Sequence, residues 1–175
     1  MHVRRFFGDI GGVAAIEFAF IAPVMILAYF GLAEVTQGMI AQRRISHTSS
    51  TIGDLVAQGS ATSPAEISDI FTVGDTIVAP FPTAPLAMRV SSITADASGV
   101  THVDWSQASN MAPLAKGAAV AVPATIFSAN QSVVEADVTY AYSSPVNYVL
   151  SAPITFSNTY YLKPRISDQV TCKAC

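Results

Sequence analysis

Glu17 is the one charged residue in an apolar run from Ile10 to Ala33, within the string Gly12-Val13-Ala14-Ala15-Ile16-Glu17-Phe18. A carboxylate in hydrocarbon costs roughly 2.5–3.5 kcal/mol on insertion scales, so such a residue is a functional candidate by default. Its spacing from Gly12 points to proteolytic processing. A peptidase working at the membrane face needs a small residue where the scissile backbone enters, and Gly12 offers one. A cut after Gly12 would give Val13 a new amine one helical turn from Glu17, able to pair with that carboxylate or with one on a neighbouring subunit. The competing reading places Glu17 near the lipid interface with its side chain among headgroups. Seven residues from Ile10 carry it about 10 Å along a helix, far for a short acidic side chain.

Other chemistry-bearing residues form weaker constellations. Cys172 and Cys175 make a C-x-x-C at the C-terminal end of the sequence. A redox role needs the first cysteine at a helix N-terminus in a βαβ context, and a structural zinc site needs four ligands. Neither setting is evident, which leaves a local disulfide or free thiols. His102 and Asp104 flank Val103 and would share one face of a strand. Without a third partner they read as an exposed polar face rather than half of an acid–base or metal site. Glu135 and Asp137 share a strand face as well, and a solvated edge accounts for them. The aromatic residues Tyr140, Tyr142, Tyr148, Phe156, Tyr160 and Tyr161 suggest strand packing before an adhesive surface. Gly8-Asp9-Ile10-Gly11-Gly12 has no preceding strand and no following lysine, so it is no phosphate cradle. No nucleophile elbow or metalloprotease motif occurs. No catalytic residue, metal ligand or cofactor site is assigned.

The elements that would position these residues begin with a membrane span. A bilayer crossing takes about 20 apolar residues, and Ile10–Ala33 provides 24. Met1-His2-Val3-Arg4-Arg5 resembles the basic start of a secretory signal, but the run is too long and Gly31-Leu32-Ala33 is a poor cleavage site. Arg4 and Arg5 before the span are balanced by Arg43 and Arg44 after it. The short N-terminal flank and the large Ser/Thr-rich remainder favour a cytoplasmic N-terminus. Pro23 lies inside the span, removes a backbone donor and predicts a local kink.

Helical character continues beyond the span. Val35, Met39, Ile45, Ile52 and Val56 form a rough stripe, and Gly59-Ser60 ends it. The helix from Val13 to Gln58 would be about 70 Å long. Ser63-Pro64-Ala65-Glu66 reads as a capped helix start, with a short helix through Phe71. Three prolines between Val78 and Pro85 predict an extended loop. The period then falls to two: Leu86–Thr94 and Val100–Trp105 form a hairpin, Ser132–Tyr142 is the clearest strand, and Ile154–Leu162 is another. The fold class is therefore α+β: a long N-terminal helix, membrane-spanning in its first half and amphipathic in its second, packed on a small antiparallel sheet. The composition, 51% hydrophobic and 12% charged with a net charge of −3, gives no reason to expect nucleic-acid binding.

The string Gly12-Val13-Ala14-Ala15-Ile16-Glu17-Phe18, with Pro23 at its fixed distance, resembles the processing motif of Flp-type (tight-adherence) pilus subunits, in particular the TadE/TadG-like family of pseudopilins. The likeness covers roughly residues 8–40, and a weaker one reaches Tyr140-Ala141-Tyr142-Ser143-Ser144-Pro145 and Lys163-Pro164-Arg165. It implies a minor, pilin-like, non-enzymatic protein cut between Gly12 and Val13 by a prepilin peptidase. The main filament subunits are much shorter and usually carry Tyr where this chain has Phe18. The resemblance implies partners among other pilins and pseudopilins, the pilus assembly platform and membrane lipid. It also implies a place in the bacterial cytoplasmic (inner) membrane, or at low abundance in the pilus. The expected organisation is a cytoplasmic leader at 1–12, a transmembrane helix at 13–34, an amphipathic helix extension at 35–59 and an extracytoplasmic α+β domain at 60–175. The alternative is an unprocessed, signal-anchored periplasmic domain that binds a ligand or adheres.

Overall fold

The structure, a computed structural model, describes residues 11–123, 125–126 and 128–175. The leader expected at 1–12 thus lies outside the described residues except for Gly11 and Gly12. Along the chain run α1 (Gly11–Ala57), β1 (Ala61–Thr62), α2 (Pro64–Val78), β2 (Leu86–Ala95), β3 (Thr101–Ser109), β4 (Ser132–Tyr142), β5 (Ile154–Leu162) and β6 (Thr171–Cys172). The class is α+β, as the change of period from about 3.6 to 2 predicts.

The chain divides into two units. One holds the described residues up to Gly38 together with Ser143–Ala152. Here α1 is apolar on all sides. Phe18, Ile26, Ile16, Val24 and Met25, spread around the axis at about 100° per residue, are 56–70% exposed. A helix apolar all round belongs in lipid or among other apolar helices. Pro23 lies inside α1 and has no amide hydrogen for the Ala19 carbonyl. The β4–β5 connection, Ser143–Ala152, lies against the turn holding Gly31 and Glu34. A Cβ built on Gly31 would sit 3.3 Å from Val149 Cγ2.

The second unit runs over Met39–Tyr142 and Pro153–Cys175. Its sheet has the order β3-β2-β4-β5, antiparallel throughout. One face carries Leu86, Met88 and Val90 from β2 and Val134, Ala136, Val138 and Tyr140 from β4, all buried. The C-terminal part of α1 covers this face with Ala41, Ile45, Ser49, Ile52 and Val56, a sequence of steps of three or four residues. The expected stripe is thus met by Ile45, Ile52 and Val56, while Val35 and Met39 remain 47% and 53% exposed. Met39 and Ile45 are six residues apart, roughly 240° around the helix, so they cannot share a face. Small residues set the closeness of the contact. A Cβ on Gly53 would lie 2.6 Å from Leu162 Cδ1 and 3.0 Å from Ala136 Cβ. The Asn158 amide donates to Ser49 Oγ at 2.5 Å.

The start of α2 follows the capping pattern in its sequence. Ser63 Oγ accepts from the Glu66 amide at 3.4 Å and donates to the Glu66 carboxylate at 3.1 Å. The helix does not stop at Phe71 but continues to Val78, because Ile67, Phe71, Gly74 and Val78 are buried in succession. Gly74 costs about 1 kcal/mol of helix propensity. It also admits Met88, whose sulfur would lie 2.5 Å from a Cβ at this position, so burial there outweighs the propensity loss. In the β2–β3 turn, Asp96 accepts from the Ser98 amide and hydroxyl and from the Val100 amide, and Gly99 takes φ +84°. On the far face of the sheet, Ile93, Val103 and Val133 form a second small core under Leu114, Val120, Val122 and Ile126. β1 and β6 pair in parallel beside the C-terminal end of α1, where the Arg165 amide donates to the Ala57 carbonyl.

Candidate functional site

Gly12, Val13, Glu17 and Phe18 lie within the first two turns of α1, and all four are exposed. Val13 and Glu17 are four residues apart, about 6 Å of helical rise. Among the described residues nothing lies within 4 Å of a Cβ built on Gly12. The packing of the described residues therefore places no demand for glycine there.

At the other end of the apolar stretch stands Glu34, which the sequence reading did not single out. It is 1% exposed. One carboxylate oxygen accepts from the Tyr148 amide at 2.6 Å, and the other from Val149 at 2.9 Å and Leu150 at 2.7 Å. A carboxylate satisfied by successive backbone amides is a charge-assisted clamp. In the sequence Glu34 looks like the first residue of the polar half. Its partners are mainly main-chain groups 114–116 residues away, so no residue-type pattern could have disclosed them.

The polar residues of the outer sheet face form a connected ladder. Arg89 pairs with Asp137 at 2.5 Å, and Thr159 donates to the other Asp137 oxygen at 2.5 Å. The solvated edge expected for Glu135 and Asp137 is not found. β4 lies between β2 and β5, and Glu135 is only 4% exposed. Burial pushes the Glu135 carboxyl up to about 7, and the Asp137 charge adds to the rise, while the Tyr161 hydroxyl and Arg89 oppose it. Burial and Glu135 push the Tyr161 hydroxyl up to about 12.

His102 and Asp104 are engaged separately. The His102 ring lies 3.6 Å from Asp96 and 3.4 Å from the Gly117 carbonyl. Asp104 accepts from Ser92 at 3.0 Å and Thr94 at 2.7 Å. Both residues thus serve the hairpin and its neighbours. Among the described residues no group of three or more His, Cys, Asp or Glu is placed to hold a metal ion. Cys172 and Cys175 are joined in a disulfide with Cα atoms 5.6 Å apart. A groove of about 240 Å³ lies between α2 and β3, with Ile67, Phe71, Asp75 and Gln107 in its lining. Tyr140 and Tyr142 are buried, whereas Tyr148 and Tyr160 are 62% and 45% exposed, so the aromatic residues make no single surface.

These features describe an α+β protein with an N-terminal helix long and apolar enough to cross a membrane. Residues 12–53 match the family model for TadE-like protein. That match includes Gly12, Val13, Glu17, Phe18, Pro23 and Glu34, and it bears out the resemblance carried by the first of these residues. The chain thus carries a TadE-like segment, which supports an association with the tight-adherence pilus in general. No curated protein and no solved structure matches the chain.

Proposed function

We propose that this protein is a minor, non-enzymatic, pilin-like subunit of tight-adherence pilus assembly, anchored by α1 with its N-terminus in the cytoplasm and cut by a prepilin peptidase after Gly12. The observation that carries the reading is the coincidence of the TadE-like match over residues 12–53 with a half-helix that is apolar on every side and bears one exposed carboxylate, Glu17. Cleavage would place the Val13 amine one turn from that carboxylate, in or beside a low-dielectric layer where an ion pair is far stronger than in water. Glu17 then meets its own amine or that of an adjacent pilin-like subunit, which favours docking of α1 into the assembly. Residues 13–34 form the span, 35–59 the amphipathic extension and 60–175 the extracytoplasmic domain that contacts other subunits or the assembly platform.

Two substitutions separate processing from docking. Gly12→Ala stops cleavage in cells that contain the peptidase, although the described residues around Gly12 leave room for a methyl group. Glu17→Gln leaves the chain inserted but lowers its recovery with co-expressed pilin-like subunits, solubilised together in mild detergent, by about tenfold, the change expected for one lost ion pair. An unprocessed, signal-anchored ligand-binding or adhesive domain predicts no effect of either change, and that outcome would overturn the proposal.

A further inference from the structure

We infer that the loop Ser143–Ala152 is a second membrane contact, an uncharged wedge seated in the lipid headgroup layer beside the last apolar turn of α1. The inference rests on reading α1 as the membrane span. Its position comes from contacts to that helix. The Tyr148, Val149 and Leu150 amides all point at Glu34, the residue that directly follows the apolar run, and Val149 lies against Gly31 one turn earlier. The loop is therefore held at the level where the span ends.

Its composition suits that level. Ser-Ser-Pro-Val-Asn-Tyr-Val-Leu-Ser-Ala has no charged residue. Val146, Tyr148 and Val149 are 46%, 62% and 53% exposed, an apolar tip that water disfavours. Tyrosine, with an apolar ring and a polar hydroxyl, is enriched at membrane–water interfaces. A loop can leave water only if its backbone donors are satisfied within the protein. Glu34 meets that requirement for three consecutive amides, and the Asn147 amide turns back to Ser144 Oγ at 3.3 Å. Leu27 and Phe30, four residues before Gly31 and Glu34 and so on the same side of the helix, are 42% and 38% exposed and continue the apolar surface from the loop along the span. Lipid is the occupant this arrangement fits, because the tip adjoins a surface that is itself apolar on every side.

The test uses the full chain in vesicles of phosphatidylethanolamine and phosphatidylglycerol, with acyl chains brominated either near the headgroup or near the chain end. Tyr148→Trp reports on the loop and Phe20→Trp on the middle of the span, against the parent, whose Trp105 is buried and bonded to the Val170 carbonyl. The Tyr148→Trp emission should be blue-shifted and quenched by the shallow bromines, while that of Phe20→Trp is quenched by the deep ones. Glu34→Gln, combined with Tyr148→Trp, removes one acceptor oxygen and should reduce the shallow quenching. If Phe20→Trp is quenched and Tyr148→Trp is not, the wedge is overturned while the span stands. A blue shift without quenching would assign the loop to a protein partner, against the proposal. If neither probe is quenched, the span reading falls and the wedge falls with it.

Discussion

At the residue scale, two carboxylates show how burial and partners decide a charge's role. Glu34 is buried but meets three amides, whereas Glu135 is buried beside another carboxylate. For Glu135 the folded-state value of about 7 lies above the ordinary 4.5. The folded chain therefore holds a proton that the unfolded chain has lost between those values, and stability falls as pH rises through that window. The loss is on the order of 1–2 kcal/mol once relaxation of the buried site is allowed for. Thermal unfolding of the detergent-solubilised chain should show a midpoint that declines from about pH 5 to pH 8, and Glu135→Gln should flatten that decline. An equally steep decline in the variant would contradict this account of the ladder. None of it was legible in the sequence, where Glu135 and Asp137 look like a wet edge. Strand order made β4 an interior strand, and strand order is a long-range property.

At the element scale, the periodic segments were the legible ones. β4 and β5 coincide with the expected Ser132–Tyr142 and Ile154–Leu162, because alternation over nine or more residues leaves little choice of register. The capping residues Ser63 and Glu66 fixed the start of α2, but its end depended on Gly74 fitting against Met88, which no local signal shows. The pair β1–β6 and the cover over Ile93, Val103 and Val133 went unread, since short or aperiodic segments draw their structure from distant partners. The same packing yields a prediction for α1. Gly53 has the Ala136 methyl and Leu162 against it, and Ala136 cannot move without its strand. Gly53→Val should destabilise the protein by about 1–3 kcal/mol despite the better helix propensity of valine, lowering the midpoint of denaturant unfolding at unchanged slope. A midpoint at or above that of the parent would show that the helix does not press on the sheet at this point.

At the scale of the whole molecule, the candidate site was more legible than the fold's details, because it is a short string read along one helix. Gly12, Val13, Glu17 and Phe18 need no tertiary contact to be recognised, and the TadE-like match covers them. Glu34 and its loop needed the fold. The central claim is that the chain is inserted, cut after Gly12 and then docked through the Val13 amine and Glu17. Its most direct test is the N-terminal sequence and intact mass of the full-length protein after expression with a prepilin peptidase and recovery from the membrane. The account predicts a chain that begins at Val13. A chain that still begins at Met1, or one cut near Ala33, would contradict it.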